Sequence, residues 1–293
     1  MKHARLLTLR RRAKITVLLS TAAVLGLMPL LSAHAEGSRL WATGGITNIN
    51  GSAGGGITTW AVLNGYASDT ETTANASVSH VGVDDFGLNT ASIGVNWANR
   101  LAVTVSHSKL DVQPLHTDIR QQTVGLKLRL AGEALYDRFG QYSAGVQYTH
   151  NSDFAIPHAL GARNDSGVDF YLAATKVVLD GFLSRNVLLN ATARATRANQ
   201  LGLLGFGSEH DNGYDLVGEF SAGVFLNRKW LVGAEYRQKP NNLQTVDEDD
   251  WKSVYLVYAP SRYLALSMAY VDLGSIAGLD DQNGYFVSLQ TGF

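Results

Sequence analysis

Seven charged residues share an unusual placement: Lys127, Arg129, Arg194, Glu219, Glu235, Arg237 and Lys239. Each lies in a segment that alternates apolar and polar residues with a period of two. Each sits on the parity opposite the aliphatic side chains. Successive side chains of a strand point to opposite faces, so all seven point with the polar set. Two chemistries fit such an arrangement. Charges that line water select solutes by sign. Charges of both signs that face a dry space form a salt-bridged and hydrogen-bonded filling.

Other reactive constellations are weaker. His107 and His150 fall on the outward parity near strand ends, and Ser106 and Ser108 flank His107 on the opposite face. No Gly-x-Ser-x-Gly elbow and no nucleophile–base–orienter set can be paired, so no catalytic residue is assigned. The eight histidines show no HExxH spacing, so no metal and no cofactor are expected. The acidic run Asp247–Asp250 lacks calcium-loop spacing and reads as a solvated loop. The segment Asn199–Gly207 is oddly apolar for a connection. Leu201, Leu203, Leu204 and Phe206 within it are candidates to constrict a mouth, to meet an oily substrate, or to pack on neighbouring loops.

These residues need strands to position them. Val124, Leu126, Leu128 and Leu130 oppose Thr123, Lys127 and Arg129; similar bursts occur at 140–150, 185–197, 214–226 and 229–239. Segments 167–179 and 251–259 are apolar on both parities. In the first, Lys176 is expected to face inward, away from lipid, taking Phe170 and Leu172 with it unless a bulge intervenes. Aromatics such as Trp97, Tyr142, Tyr148, Tyr214, Trp230, Tyr236 and Tyr270 cluster at strand ends, as interfacial girdles do. Connections alternate short and long, with Arg100, Arg185, Arg228 and Arg262 in short turns and most acids in long loops. The final segment places Tyr285, Val287, Leu289 and the terminal Phe293 on one parity, the form of strand that barrel-assembly machinery reads. The fold class expected is all-β: a transmembrane antiparallel up-and-down β-barrel of twelve strands. Fourteen is the alternative if Leu40–Thr47 and Thr58–Tyr66 are also strands.

Residues 1–35 carry a basic start, an apolar run and Ala33-His34-Ala35, the pattern of a cleaved signal peptide. Cleavage removes six of the 24 basic residues and none of the 25 acidic ones, leaving a formal charge of −7. That argues against nucleic acid as a partner. There are no cysteines, so disulfides do not stabilise the exported protein. Residues 36–75, with the run Gly54-Gly55-Gly56, read as a lumen hatch or a first hairpin, and 76–293 as the barrel.

Several segments resemble those of an uncharacterised family of proteobacterial outer-membrane barrel proteins, known as a domain of unknown function. They are Gly54-Gly55-Gly56 followed by Trp60, Ala173-Ala174-Thr175-Lys176, the run Asn190–Gly207, and Tyr270-Val271-Asp272-Leu273-Gly274. The resemblance implies a barrel and a secreted precursor, and no reaction or ligand. The expectation is therefore an outer-membrane barrel, monomeric or trimeric, in contact with lipid and acting as a passive channel for small solutes. A non-conducting structural barrel and an outer-membrane lipid hydrolase are the alternatives.

Overall fold

A computed structural model of the chain describes residues 46–243 and 248–293. The expected signal peptide (1–35), residues 36–45 and residues 244–247, Asp247 among them, lie outside the described residues. Fourteen strands occur in chain order: β1 (Thr72–Val83), β2 (Phe86–Trp97), β3 (Leu101–Val112), β4 (Thr117–Ala131), β5 (Gln141–Asn151), β6 (Ala162–Asn164), β7 (Ser166–Val178), β8 (Val187–Thr196), β9 (Phe206–Ser208), β10 (Asp215–Phe225), β11 (Trp230–Arg237), β12 (Trp251–Ser261), β13 (Leu264–Asp272) and β14 (Asn283–Gly292). All but β6 and β9 form one closed barrel, in which each strand pairs with the next barrel strand in sequence and β14 pairs with β1. That is the twelve-strand solution. Thr58–Tyr66 is not a barrel strand, so a fourteen-strand barrel is excluded. β6 and β9 form a separate two-stranded ribbon in the outer loops, beside a short helix α1 (Ala155–Ala159).

The wall forms because each strand divides its residues between two environments. In β4, Val124, Leu126, Leu128 and Leu130 are exposed on the outside, while Gln121, Thr123 and Lys127 are buried inside. Elsewhere Ile93, Phe170, Leu216 and Tyr270 are each more than half exposed. Every backbone group of the wall can pair with a neighbouring strand, and closure leaves no edge. The seam runs from Asn75↔Gly292 to Val83↔Gly284. It continues to the last residue, where Phe293 and Ala74 exchange backbone hydrogen bonds of 2.8 and 3.1 Å. A closed barrel with an apolar outer band is the only strand architecture that satisfies a bilayer. The protein is a closed β-barrel of the kind that crosses a membrane with strands.

The two ambiguous strands have definite faces. In β7, Phe170 and Leu172 point outward while Tyr171, Ala173, Thr175 and Val177 are buried inside. Lys176 is on the outward parity, opposite to the expectation of an inward lysine. It avoids lipid by reaching along the strand toward the 132–140 turn, where its Nζ donates to the carbonyls of Leu135 (3.2 Å) and Asp137 (2.6 Å). A long stem allows such a charge to travel to a polar rim. In β12, Trp251, Ser253, Tyr255, Val257 and Ala259 face inward, and Val254 faces lipid. Both strands are oily on the inside because the interior they face is packed protein.

Candidate functional site: the filled lumen

The segment Ile46–Ser68 lies inside the barrel. It is held in a compact fold by its own backbone: Asn48 N–H donates to Ser52 O (2.9 Å), Ile49 N–H to Gly56 O (2.9 Å) and Trp60 N–H to Ala53 O (3.1 Å). The Asn48 side chain tightens the turn, with its Oδ1 accepting from the amides of Asn50 and Ser52. Two glycines are required by the wall. Gly51 has φ +81°, and a Cβ there would sit 2.7 Å from Ser92 Cβ. A Cβ on Gly55 would sit 1.7 Å from Glu235 Oε1. The glycine run therefore lets this segment press its backbone against wall side chains.

The wall answers with polar groups aimed at main-chain atoms. Lys127 Nζ donates to three carbonyls, those of Ala53 (3.0 Å), Trp60 (2.8 Å) and Val62 (3.1 Å). Glu235 accepts from the Ile57 amide (2.9 Å), from Ser253 Oγ (3.2 Å) and from the Thr58 hydroxyl. Glu219 accepts from the Thr59 amide (2.6 Å) and from Arg194 Nε (2.6 Å). Arg194 also donates to Gln147 Oε1 (2.7 Å), Asp169 Oδ2 (3.3 Å) and Thr59 Oγ1 (2.9 Å). Arg237 donates to Ile57 O (3.0 Å) and lies 3.5 Å from Glu219. Asn190 and Thr192 both donate to Thr59 O, and Gln141 and Ser143 to Ala61 O. Three cations (Lys127, Arg194, Arg237) thus meet three carboxylates (Asp169, Glu219, Glu235) around one polar waist. Arg194 and Glu219 are both fully buried. Buried charges persist only when paired and hydrogen-bonded, and these are.

Below the waist, toward the short turns, the contact turns apolar. Trp60 is fully buried and its ring centroid lies 6.3 Å from that of Tyr255. Val177, Leu188, Leu231 and Val257 are inward and buried on the surrounding strands. Above the waist the lumen is apolar again. Val81, Val83, Phe86, Leu88, Leu110 and Val112 point inward from the outer ends of β1, β2 and β3. They meet Leu203 and Leu204 from the connection between β8 and β10, and a cavity of about 30 Å³ remains among them.

Of the seven charged candidates, Lys127, Arg194, Glu219, Glu235 and Arg237 converge on the waist. Arg129 stands apart at the short-turn end, in an ion pair with Asp69 (2.9 Å). Lys239 sits beyond β11 in the outer loops, with its amide on Asp250 Oδ1 (3.0 Å) and its ammonium 5.4 Å from the centroid of the Trp251 ring. Asp169, Gln147, Tyr171 and Thr175 belong to the waist and were missed by sequence. The expectation of an inward Lys176 leaves the phase of β7 open and so hides Asp169, Tyr171 and Thr175. Tyr285, Val287 and Leu289 lie on the outer face of the seam strand, with Phe286 buried inside.

The outer loops are pinned into a lid. Leu203, Leu204 and Phe206 are buried and Leu201 is half-buried. Asn151 Nδ2 donates to Leu203 O (2.7 Å), Asn199 Nδ2 to Gly207 O (3.0 Å) and Gln200 Nε2 to Ser275 O (3.2 Å). The acidic run is not a freely solvated loop. Asp249 Oδ2 accepts from the Ser275 amide, Asp250 from Tyr236 and Lys239, and Glu248 is buried. Burial pushes the Glu248 carboxyl up to about 7, opposed by the Lys239 ammonium. Burial pushes Lys239 down to about 8, opposed by Glu248, Asp249 and Asp250. Among the described residues no group of His, Asp and Glu could hold a metal. His107 and His150 face outward on either side of Gln122 in the register. Ser106 and Ser108 point the other way, with their hydroxyls on Asn50 O and Thr90.

A family profile described as "Protein of unknown function (DUF3034)" matches residues 43–290. The chain belongs to this family. No curated protein matches it. Among solved structures the KdgM porin is 11% identical, covering 75% of this chain and 99% of its own, with a TM-score of 0.49. The NanC porin is 11% identical, covering 75% and 98%, with a TM-score of 0.47. Omp33 of Acinetobacter baumannii is 12% identical, covering 76% and 98%, with a TM-score of 0.44. For this family member the waist, and not an open ring of charge, is the central feature of the lumen.

Proposed function

We propose that this protein is a channel for small solutes that stands closed at rest, with Ile46–Ser68 as its plug. The observation that carries the reading is the chemistry of the waist. The wall binds the plug chiefly at main-chain atoms: Lys127 and Arg237 donate to its carbonyls, Glu219 and Glu235 accept from its amides, and Arg194 adds a bond to the Thr59 hydroxyl. Water can replace such bonds at a net cost of about 1.5–3 kcal/mol each, the range for charged partners. A plug so held can leave, and its departure would expose a charged ring able to select ions by sign. Plug and wall strands come from one chain, so opening is an intramolecular rearrangement.

Single-channel recording in planar bilayers tests this. The intact protein should insert with rare or small openings, and a variant lacking residues 46–66 should conduct steadily. Silence from the deletion variant in repeated insertions would leave a non-conducting structural barrel. That second reading draws on Trp60, whose packing against Tyr255 is an apolar anchor that water does not replace.

A further inference from the structure

We infer that the outer third of the lumen is a binding compartment for small apolar molecules, aliphatic or aromatic, covered by the Asn199–Phe206 lid. As the substrate class of the channel this rests on the reading above; as a binding site it does not.

Barrel interiors are ordinarily polar, and the inner halves of these same strands obey that. Asn75 and Ser77 on β1, Ser92 and Asn96 on β2, and Thr104 and Ser106 on β3 all face inward near the waist or below it. Beyond that level the inward positions change character, to Val81, Phe86, Leu88 and Leu110. The plug's main chain is satisfied at the waist by hydroxyls, amides and charges, and its Ile49 reaches up to line the apolar cavity. A lid that only had to seal a water-filled mouth would also be served by polar contacts.

Two further features mark the compartment as a site that opens. First, its cover is strained: Gln200 and Leu201 adopt φ of +47° and +62°, and Ala277 in the adjoining loop +54°. Left-handed backbone at residues other than glycine costs on the order of 1–3 kcal/mol each and persists where the surroundings impose it. Second, polar atoms on the lining are buried without partners. Among the described residues the Trp251 indole N–H and the Gln200 side-chain carbonyl have no hydrogen-bond partner, and both residues line the cavity. Unsatisfied buried polar atoms cost about 1–3 kcal/mol apiece, and a ligand with one polar end could satisfy either. The residual cavity of about 30 Å³ is too small for such a ligand, so binding requires the lid to lift.

Trp251 provides the readout. The whole chain is reconstituted in phosphatidylcholine vesicles and its tryptophan fluorescence titrated with 1-bromooctane, whose bromine quenches on contact. Lipid-dissolved probe reaches the outward Trp97 and gives quenching that rises linearly with concentration. The compartment should add a saturable component that is absent in Trp251→Phe and at least five-fold weaker in Leu110→Asp. If Leu110→Asp does not fold, Leu204→Ala serves, with a measurable shift in the half-saturating concentration. A purely linear titration, or a saturable component unchanged in these variants, overturns the inference. The same preparations separate the two readings. Saturable quenching with a silent plug-deleted barrel keeps the site and removes the channel. Steady conductance with linear quenching does the reverse.

Discussion

The waist and the outer compartment lie one above the other in the same cylinder and are filled by opposite means. At the waist, a glycine-rich segment without regular structure is held by charged and polar wall residues at defined distances. In the outer compartment, aliphatic wall residues meet leucines of a loop with little hydrogen bonding between them. The first arrangement is directional and specifies one position for the plug. The second is non-directional and tolerates rearrangement. Rigidity where a segment must be located, and plasticity where something must be admitted, is what the contrast teaches.

The comparison breaks most severely at Arg194. Arg194→Ala leaves Glu219 and Asp169 facing each other in a dry interior, and loss of one partner from a buried pair costs about 3–5 kcal/mol. The urea midpoint of the reconstituted barrel should fall accordingly. Arg194→Met with Glu219→Leu should recover a large part of the loss; an unchanged midpoint in the single variant would show the waist to be hydrated. In the other region Leu110→Ala should cost about 2 kcal/mol, the low end for Leu→Ala, since the lid can settle into the space. A loss as large as that of Arg194→Ala would mean the compartment is as rigid as the waist.

Gly55→Ala sharpens the contrast from the plug side. The added methyl would meet the Glu235 carboxylate, and overpacking of this kind costs about 1–3 kcal/mol. It should raise channel open probability without altering 1-bromooctane quenching. The smallest effect concerns pH in the lid. Glu248 titrates at about 7 in the folded protein against an ordinary 4.5. Between those values the folded state keeps a proton that the unfolded lid has lost. The lid is therefore tightest below the lower value and loosens as pH rises through the window. Lys239, lowered to about 8, works in the opposite sense at higher pH, and Arg237, Asp249 and Asp250 share the neighbourhood. Hydrogen-exchange protection factors at the 199–206 amides, taken relative to the intrinsic rate at each pH, should rise a few-fold from pH 7 to pH 5, and Glu248→Gln should flatten the trend.

The strands that could be read from sequence are those whose inner face meets polar partners. β4, β5, β8, β10 and β11 alternate cleanly because lipid and waist demand opposite residues. β7 and β12 could not be phased because their inner faces meet Trp60 and its neighbours, which erases the polar half of the pattern. The charged residues of the waist were legible as a set sharing one parity. Their true partners were not, because backbone carbonyls and amides carry no signature in a side-chain alphabet. The triple glycine was visible, but its reason, the close approach of Glu235, exists only in three dimensions. The leucines of the lid are legible as an oddity; nothing in the sequence distinguishes the apolar wall opposite them, Val81, Phe86, Leu88 and Leu110, from a lipid-facing set.

The seam between β1 and β14 has a consequence for biogenesis. Pairing of β14 with β1 zips the circle shut, and the plug directly precedes β1 in the chain. A plug already laid against the curling sheet is simply enclosed when those two edges meet. One arriving later would have to press a bulky indole into a cylinder already closed around its site. Closure of the seam is therefore favoured once the interior is furnished.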